Sequence, residues 1–235
     1  MHLPLPPLFL ITLLPTLSLT APTFTTLINS SAEDSSHFLH TLRLQKRTVT
    51  TLDPAAFAEA QVRDPTATRA FTSTTITTTT GLCLSVDELS GDFRANLTPV
   101  PAAACDGSAG QSWDIITAGK HNDQPGTMIV VSTLTQACLN FDPRRAAGNQ
   151  VLLFSCGGRA DGGGAVTDSQ LFAFDGGAGP LALRPENAAG TCLTIAGGKA
   201  LDQAACVAGE VAQSFTFGGQ GVSAPAPGNG TGACS

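Results

Sequence analysis

Cys138-Leu139-Asn140-Phe141 is the middle member of a set of three. Cys83-Leu84-Ser85-Val86 precedes it by 55 residues and Cys192-Leu193-Thr194-Ile195 follows it by 54. Each opening cysteine is followed by a second one (Cys105, Cys156, Cys206), and each second cysteine by a Gln-X-aromatic triplet: Gln111-Ser112-Trp113, Gln170-Leu171-Phe172 and Gln213-Ser214-Phe215. The same signals in the same order three times mark a threefold internal repeat. Within each unit the signals are those of short strands. Short strands at Ala70 to Thr75, Met128 to Val131 and Leu181 to Leu183 precede the opening cysteines, and Cys-Leu-X-apolar continues as alternation. Val151-Leu152-Leu153-Phe154 is a further apolar run, and Gly157 to Gly164 reads as a loop.

The cysteines carry a second message. No pair lies at Cys-X-X-Cys spacing, so a structural zinc site is disfavoured. Disulfides within each repeat are the expectation: Cys83–Cys105, Cys138–Cys156 and Cys192–Cys206. Closing loops of this size stabilises by about 3 kcal/mol each in the chain-entropy model. Cys234 is left over, free or available to another chain.

Composition agrees with a β-rich, turn-rich chain. Of 235 residues only 13% are charged, 25 are Gly, one is Trp and none is Tyr. That excludes a coiled coil or long helical bundle, which needs far more Glu, Lys, Arg and Leu. The formal charge of -6 argues against a nucleic-acid partner, which requires a basic face to neutralise phosphates.

The flanks read differently. Residues 1–20 have the short apolar centre of a secretory signal peptide, with Ser18 and Thr20 before a cut at Ala21. Residues 21–47, ending in the dibasic pair Lys46-Arg47, read as a pro-segment or a linker. Residues 48–70 form an N-terminal extension in which Asp53 and Pro54 open a short helix, one as cap and one at the first helical position. Residues 218–235 read as a flexible Gly/Pro/Ser tail. No segment is long and apolar enough for a membrane span. Three sequons occur. Asn96 and Asn229 are expected to carry glycans, whereas Asn29 would leave with a pro-segment.

Three units of Cys-Leu-X-apolar, a second cysteine and Gln-X-aromatic resemble the ricin B-type lectin domain, a β-trefoil. The resemblance covers residues 71–217 and is closest in kind to secreted fungal proteins bearing this domain. It implies an all-β fold with twelve strands in three lobes about a pseudo-threefold axis. Trp113, Phe172 and Phe215 would then meet in the core, and Gln111, Gln170 and Gln213 would satisfy turn backbone groups.

The resemblance also implies where a sugar would sit. The family pocket uses an Asp two residues after the opening cysteine, whose carboxylate accepts from two vicinal hydroxyls. It adds a stacking aromatic two residues before the second cysteine, and a Gln or Asn nearby. Here the Asp position holds Ser85, Asn140 and Thr194, and the aromatic position holds Ala103, Phe154 and Ala204. The family's Gln is replaced by Pro101, Leu152 and Asp202. Only the second repeat keeps a usable set: Asn140, Asn149, Phe154 and, from a slightly different direction, Asp142 with Arg144 or Arg145 nearby. Plainer roles compete. Phe154 fits a core strand, Asp142-Pro143 fits a turn opener, and Asn140 fits a bond to loop backbone. The polar loop Gly119 to Gln124 could hold a ligand or be a solvated connection.

Catalytic signals are thin. Only His121 lies inside the repeats, and neither a nucleophile elbow nor a His-Glu-X-X-His helix occurs. The expectation is a secreted, non-catalytic lectin-like protein with degenerate sugar pockets, without metal or cofactor. Its partners would be glycans of a cell wall or host surface, as polysaccharide or glycoprotein. The competing expectation is a sugar-binding-deficient trefoil acting as a protein-interaction module or hydrolase inhibitor.

Overall fold

Short alternating stretches broken by Gly, Asp and Asn turns leave room only for brief strands. The computed structural model describes residues 48–218. Its strands are β1 (Thr68–Thr74), β2 (Ile76–Thr78), β3 (Leu82–Leu84), β4 (Ala102–Ala104), β5 (Trp113–Ala118) and β6 (Thr127–Ser132). They continue as β7 (Cys138–Phe141), β8 (Val151–Phe154), β9 (Phe172–Ala173), β10 (Thr191–Ala196), β11 (Ala200–Ala205) and β12 (Phe215–Phe217). One short helix, α1 (Pro54–Ala60), precedes them. The segments expected to be a signal peptide and a pro-segment or linker, together with Asn29, Asn229 and Cys234, lie outside the described residues.

The pairing is that of a β-trefoil. The opening stretch of each repeat bonds to its own closing strand and to that of the preceding repeat. In repeat one, β1 pairs β5 and β2 pairs β12. In repeat two, β6 pairs both β5 and β9. In repeat three the same role falls to two isolated bridges, Leu181 with Phe215 and Pro185 with Phe172. These contacts close a six-membered barrel, and the hairpins β3–β4, β7–β8 and β10–β11 lie outside this ring. The strand expected over Leu181 to Leu183 is therefore reduced to bridges. Pro180 and Pro185 have no N–H to give a ladder, which limits pairing there.

The repeat signals occupy equivalent places. Trp113, Phe172 and Phe215 have no exposure and belong to one cluster with Leu84, Leu139 and Leu193, the residues after the opening cysteines. Each triplet Gln braces the backbone on both sides of the second cysteine. Gln111 accepts from Asp106 N–H and donates to Ala104 C=O. Gln170 does the same with Gly157 and Ser155, and Gln213 with Val207 and Ala205. The disulfides are Cys83–Cys105, Cys138–Cys156 and Cys192–Cys206.

Residues 48–67 pack against the barrel. Asp53 caps α1 by accepting from the Ala55 and Ala56 amides. Thr48 and Val49 N–H donate to Leu89 C=O, and Asp53 N–H donates to Phe93 C=O. A second apolar cluster of Ile116, Ile129, Val131, Cys138, Cys156 and Leu171 lies apart from the main core, with Ala67 and Val166 against it. The loop after Cys156, about twice as long as its counterparts, meets the extension there. At Gly162 a Cβ would come within 2.7 Å of Glu59 O and 2.8 Å of Ala60 O.

Asn96 joins these pieces, and it corrects an expectation. Its exposure is 0%. Its Oδ1 accepts from Ser155 N at 2.7 Å, Ser155 Oγ at 2.8 Å and Gln61 Nε2 at 3.1 Å, while its Nδ2 donates to Ala160 O at 3.2 Å. An N-glycan attaches at that nitrogen, so a sugar would displace Ala160 and breach the packed shell. Glycosylation at Asn96 is incompatible with this fold.

Candidate functional site

The β7–β8 hairpin sorts its side chains by strand alternation. Leu139, Phe141, Val151 and Leu153 enter the core. Cys138, Asn140, Leu152 and Phe154 occupy the opposite face, with Cys138 facing Phe154 and Asn140 facing Leu152 across the ladder. Phe154 is half-buried and belongs to neither apolar cluster, so it does not serve as core. It is the diagonal neighbour of Asn140, roughly 7 Å away by sheet geometry.

Asn140 is held by a side chain rather than by loop backbone. Its Oδ1 accepts from Ser169 Oγ at 2.9 Å, and Ser169 Oγ lies 3.0 Å from Thr167 Oγ1. The Phe141 N–H donates to Ser169 C=O at 2.8 Å, which fixes this turn against β7. The residue string alone did not single out Ser169 and Thr167. The available signal was position. Ser169 stands immediately before the triplet Gln170, where the other repeats have Gly110 and Ala212. Those repeats are closed there. A Cβ at Gly110 would lie 2.2 Å from Val86 O, and Thr194 Oγ1 turns inward to Ala212 O at 3.3 Å.

Asp142 is on the same hairpin but occupied. Its Oδ1 accepts from Arg144 N at 3.1 Å and Nε at 2.9 Å, and its Oδ2 accepts from a terminal Arg144 nitrogen at 3.1 Å. Hydrogen bonding from the Arg144 side chain holds its carboxyl below the usual range. The backbone bonds Arg144 N–H to Asp142 Oδ1 and Arg145 N–H to Asp142 C=O are those of a turn opener. Asn149 is exposed at the hairpin tip, its N–H donating to Ala146 C=O. The structure therefore brings together Asn140, Ser169 and Thr167, sets Phe154 on the same face of the hairpin as Asn140, puts Asp142 at the margin, and leaves Asn149 at the tip.

The loop Gly119 to Gln124 is structural. Asn122 is buried, donates to Ile116 and Thr127 C=O, and accepts from Gln124 N–H and Thr127 Oγ1. His121 is also buried, with Nδ1 2.8 Å from Ala165 O. The cleft beside it, lined by Val62, Asp64, Arg69 and His121 among others, has a volume of about 10 Å³, room for a single water. Among the described residues no group of His, Cys, Asp or Glu could hold a metal, and no helix is long and apolar enough to cross a membrane.

No protein-family model and no curated protein matches the chain. Solved structures do resemble it. The designed threefold symmetric protein ThreeFoil is 16% identical, with 63% of this chain and 98% of that chain covered and a TM-score of 0.47. A Polyporus squamosus lectin is 14% identical, with 61% and 47% covered and a TM-score of 0.44. A mosquitocidal holotoxin is 12% identical, with 67% of this chain covered and a TM-score of 0.47, and the chain spans 17% of its length. The β-trefoil assignment itself stands on the strand pairing.

Proposed function

We propose that this protein is a secreted, non-catalytic carbohydrate-binding trefoil with one working site, on the outer face of the β7–β8 hairpin. The observation that carries this reading is Phe154. A large ring stands outside both apolar clusters, on the same face as an amide, Asn140, that is oriented by Ser169 and Thr167. A ring beside fixed polar groups is the combination a sugar needs, an apolar face to stack on and directed hydrogen bonds at its edge. Secretion is supported by three disulfides, which persist in oxidising compartments.

A glycan array probed with the full chain tests the reading. Binding is expected for the wild type, with roughly tenfold or greater weakening in both Phe154→Ala and Asn140→Ala. Binding that survives both changes would place the site elsewhere. An array without signal would favour the protein-interaction alternative, for which the exposed Val207 and Val211 of the third repeat are the natural contact residues.

A further inference from the structure

Paired basic residues occur twice in the chain, at Lys46-Arg47 and at Arg144-Arg145. Each pair suits an endoprotease that reads two cations and hydrolyses the bond after the second. Such an enzyme takes its substrate as an extended strand, because backbone and alternate side chains must both reach its cleft. The fold sets the two pairs apart, and the difference is independent of the sugar site.

Arg144-Arg145 is held bent. Arg145 N–H donates to Asp142 C=O at 3.2 Å, which closes a turn over residues 142–145. Asp142 N–H donates to Gln150 C=O at 2.9 Å, and Gln150 Nε2 donates to Pro143 C=O at 3.0 Å, so the loop is tied at its base. Beneath it β7 and β8 are joined by their ladder and by Cys138–Cys156. The Arg144 guanidinium is engaged as well, its Nε and a terminal nitrogen donating to Asp142 at 2.9 and 3.1 Å. Drawing this segment out straight would break the turn and the guanidinium contacts together.

The other pair ends where the packed body begins. Thr48, the residue after Arg47, is exposed. Its N–H donates to Leu89 C=O at 3.0 Å and its Oγ1 to Ser90 C=O at 3.0 Å, while Val49 N–H reaches the same Leu89 oxygen at 3.3 Å. Leu89 and Ser90 end the single helical turn Glu88–Ser90, so these carbonyls need partners from outside it. The acids Asp87 and Glu88 belong to the same turn.

We propose that an endoprotease specific for paired basic residues cuts this chain once, after Arg47, and that the new terminus at Thr48 docks on the Leu89 and Ser90 carbonyls. Water adds its hydroxyl to the Arg47 carbonyl carbon as the bond to the Thr48 nitrogen breaks. The nitrogen takes the remaining proton of the water and then that of the new carboxylic acid, leaving a carboxylate on Arg47 and an ammonium on Thr48. The ammonium keeps the bond to Leu89 that the amide made, now charge-assisted, with further N–H donors beside Ser90 C=O.

The test uses the full chain, produced with its disulfides formed in a host lacking such a protease, and a purified endoprotease specific for paired basic residues. Intact mass should show a single product that begins at Thr48, with the bond after Arg145 surviving about tenfold longer or more. In the reduced and alkylated chain both bonds should be cut at similar rates. Arg47→Ala should abolish the first cut without opening the second. A folded chain left whole, or cut after Arg145 as fast as after Arg47, would overturn the proposal. Survival of the Arg145 bond in the reduced and alkylated chain would overturn the turn as its protection. The thermal midpoint of the product should match or exceed that of the uncut chain. Its α-amino group, held as an ammonium, should be acylated at about pH 8 roughly tenfold more slowly than in the reduced and alkylated product. Equal acylation rates, or a lower midpoint, would overturn the docked terminus.

Discussion

The Asn96 side chain makes four hydrogen bonds from a position with no exposure, and each has a partner that would be stranded without it. Asn96→Ala leaves the Ser155 amide, the Ser155 hydroxyl, the Gln61 amide and the Ala160 carbonyl to be satisfied otherwise. Unpaired buried groups cost about 1–3 kcal/mol each, so we expect a loss of about 3 kcal/mol or more in chemical denaturation. The local string Asn96-Leu97-Thr98 could not announce this, because an acceptor sequon and a buried amide hub share the same three residues. What separates them is contact with Gln61, Ser155 and Ala160, distant along the chain. His121 makes a second residue-scale prediction. Burial, partly offset by its bond to Ala165, lowers its pKa from 6.5. Its unfolded form therefore binds the proton first as pH falls, and stability contributed at neutral pH is lost below about pH 6.5. Denaturation midpoints of the wild type should fall between pH 7 and pH 5 more steeply than those of His121→Gln.

Among the elements, the three disulfide hairpins were legible in the residues and the packing of the extension was not. Cys-Leu-X-apolar declares its own alternation, since Leu enters the core and its neighbours leave it. The brace made by each triplet Gln was expected only through the resemblance to the ricin B-type domain, although it acts on backbone only a few residues away. Two things escaped. The opening strand of repeat three dwindles to bridges between two prolines, and the docking of residues 48–67 depends in part on a loop about a hundred residues later. That docking can be tested at Gly162. Its φ of +73° disfavours any other residue, and an added Cβ would press on the α1 carbonyls Glu59 O and Ala60 O. Gly126 has a similar φ of +81° but open space around it. Gly162→Ala should lower the thermal midpoint more than Gly126→Ala, by about 4–8 °C if the steric part costs about 2 kcal/mol. Equal shifts would mean that the extension yields freely.

At the scale of the molecule, the threefold scaffold is kept more faithfully than any binding surface on it. All three repeats retain the cysteine pair, the bracing Gln and the core aromatic, yet only the second has a ring two residues before its second cysteine and a hydroxyl before the triplet Gln. The lone Trp113 is spent on the core, its Nε1 donating to Leu84 C=O at 3.2 Å, and with no Tyr the rings outside the core are phenylalanines, among them Phe154 on the hairpin and the exposed Phe93 of the first repeat. The candidate site was legible in part. The resemblance pointed to Asn140 and Phe154, but it could not show that Ser169 completes the face or that Arg144 covers Asp142. Reduction of the disulfides tests the scaffold, with an expected loss of about 3 kcal/mol per bridge and collapse of the hairpin triplet. The most direct test of the central claim is a map of backbone amide shifts by nuclear magnetic resonance while a glycan identified on the array is titrated in. The account predicts that the largest shifts fall in residues 138–142, 151–155 and 167–170. Shifts concentrated instead in the first or third repeat would contradict it.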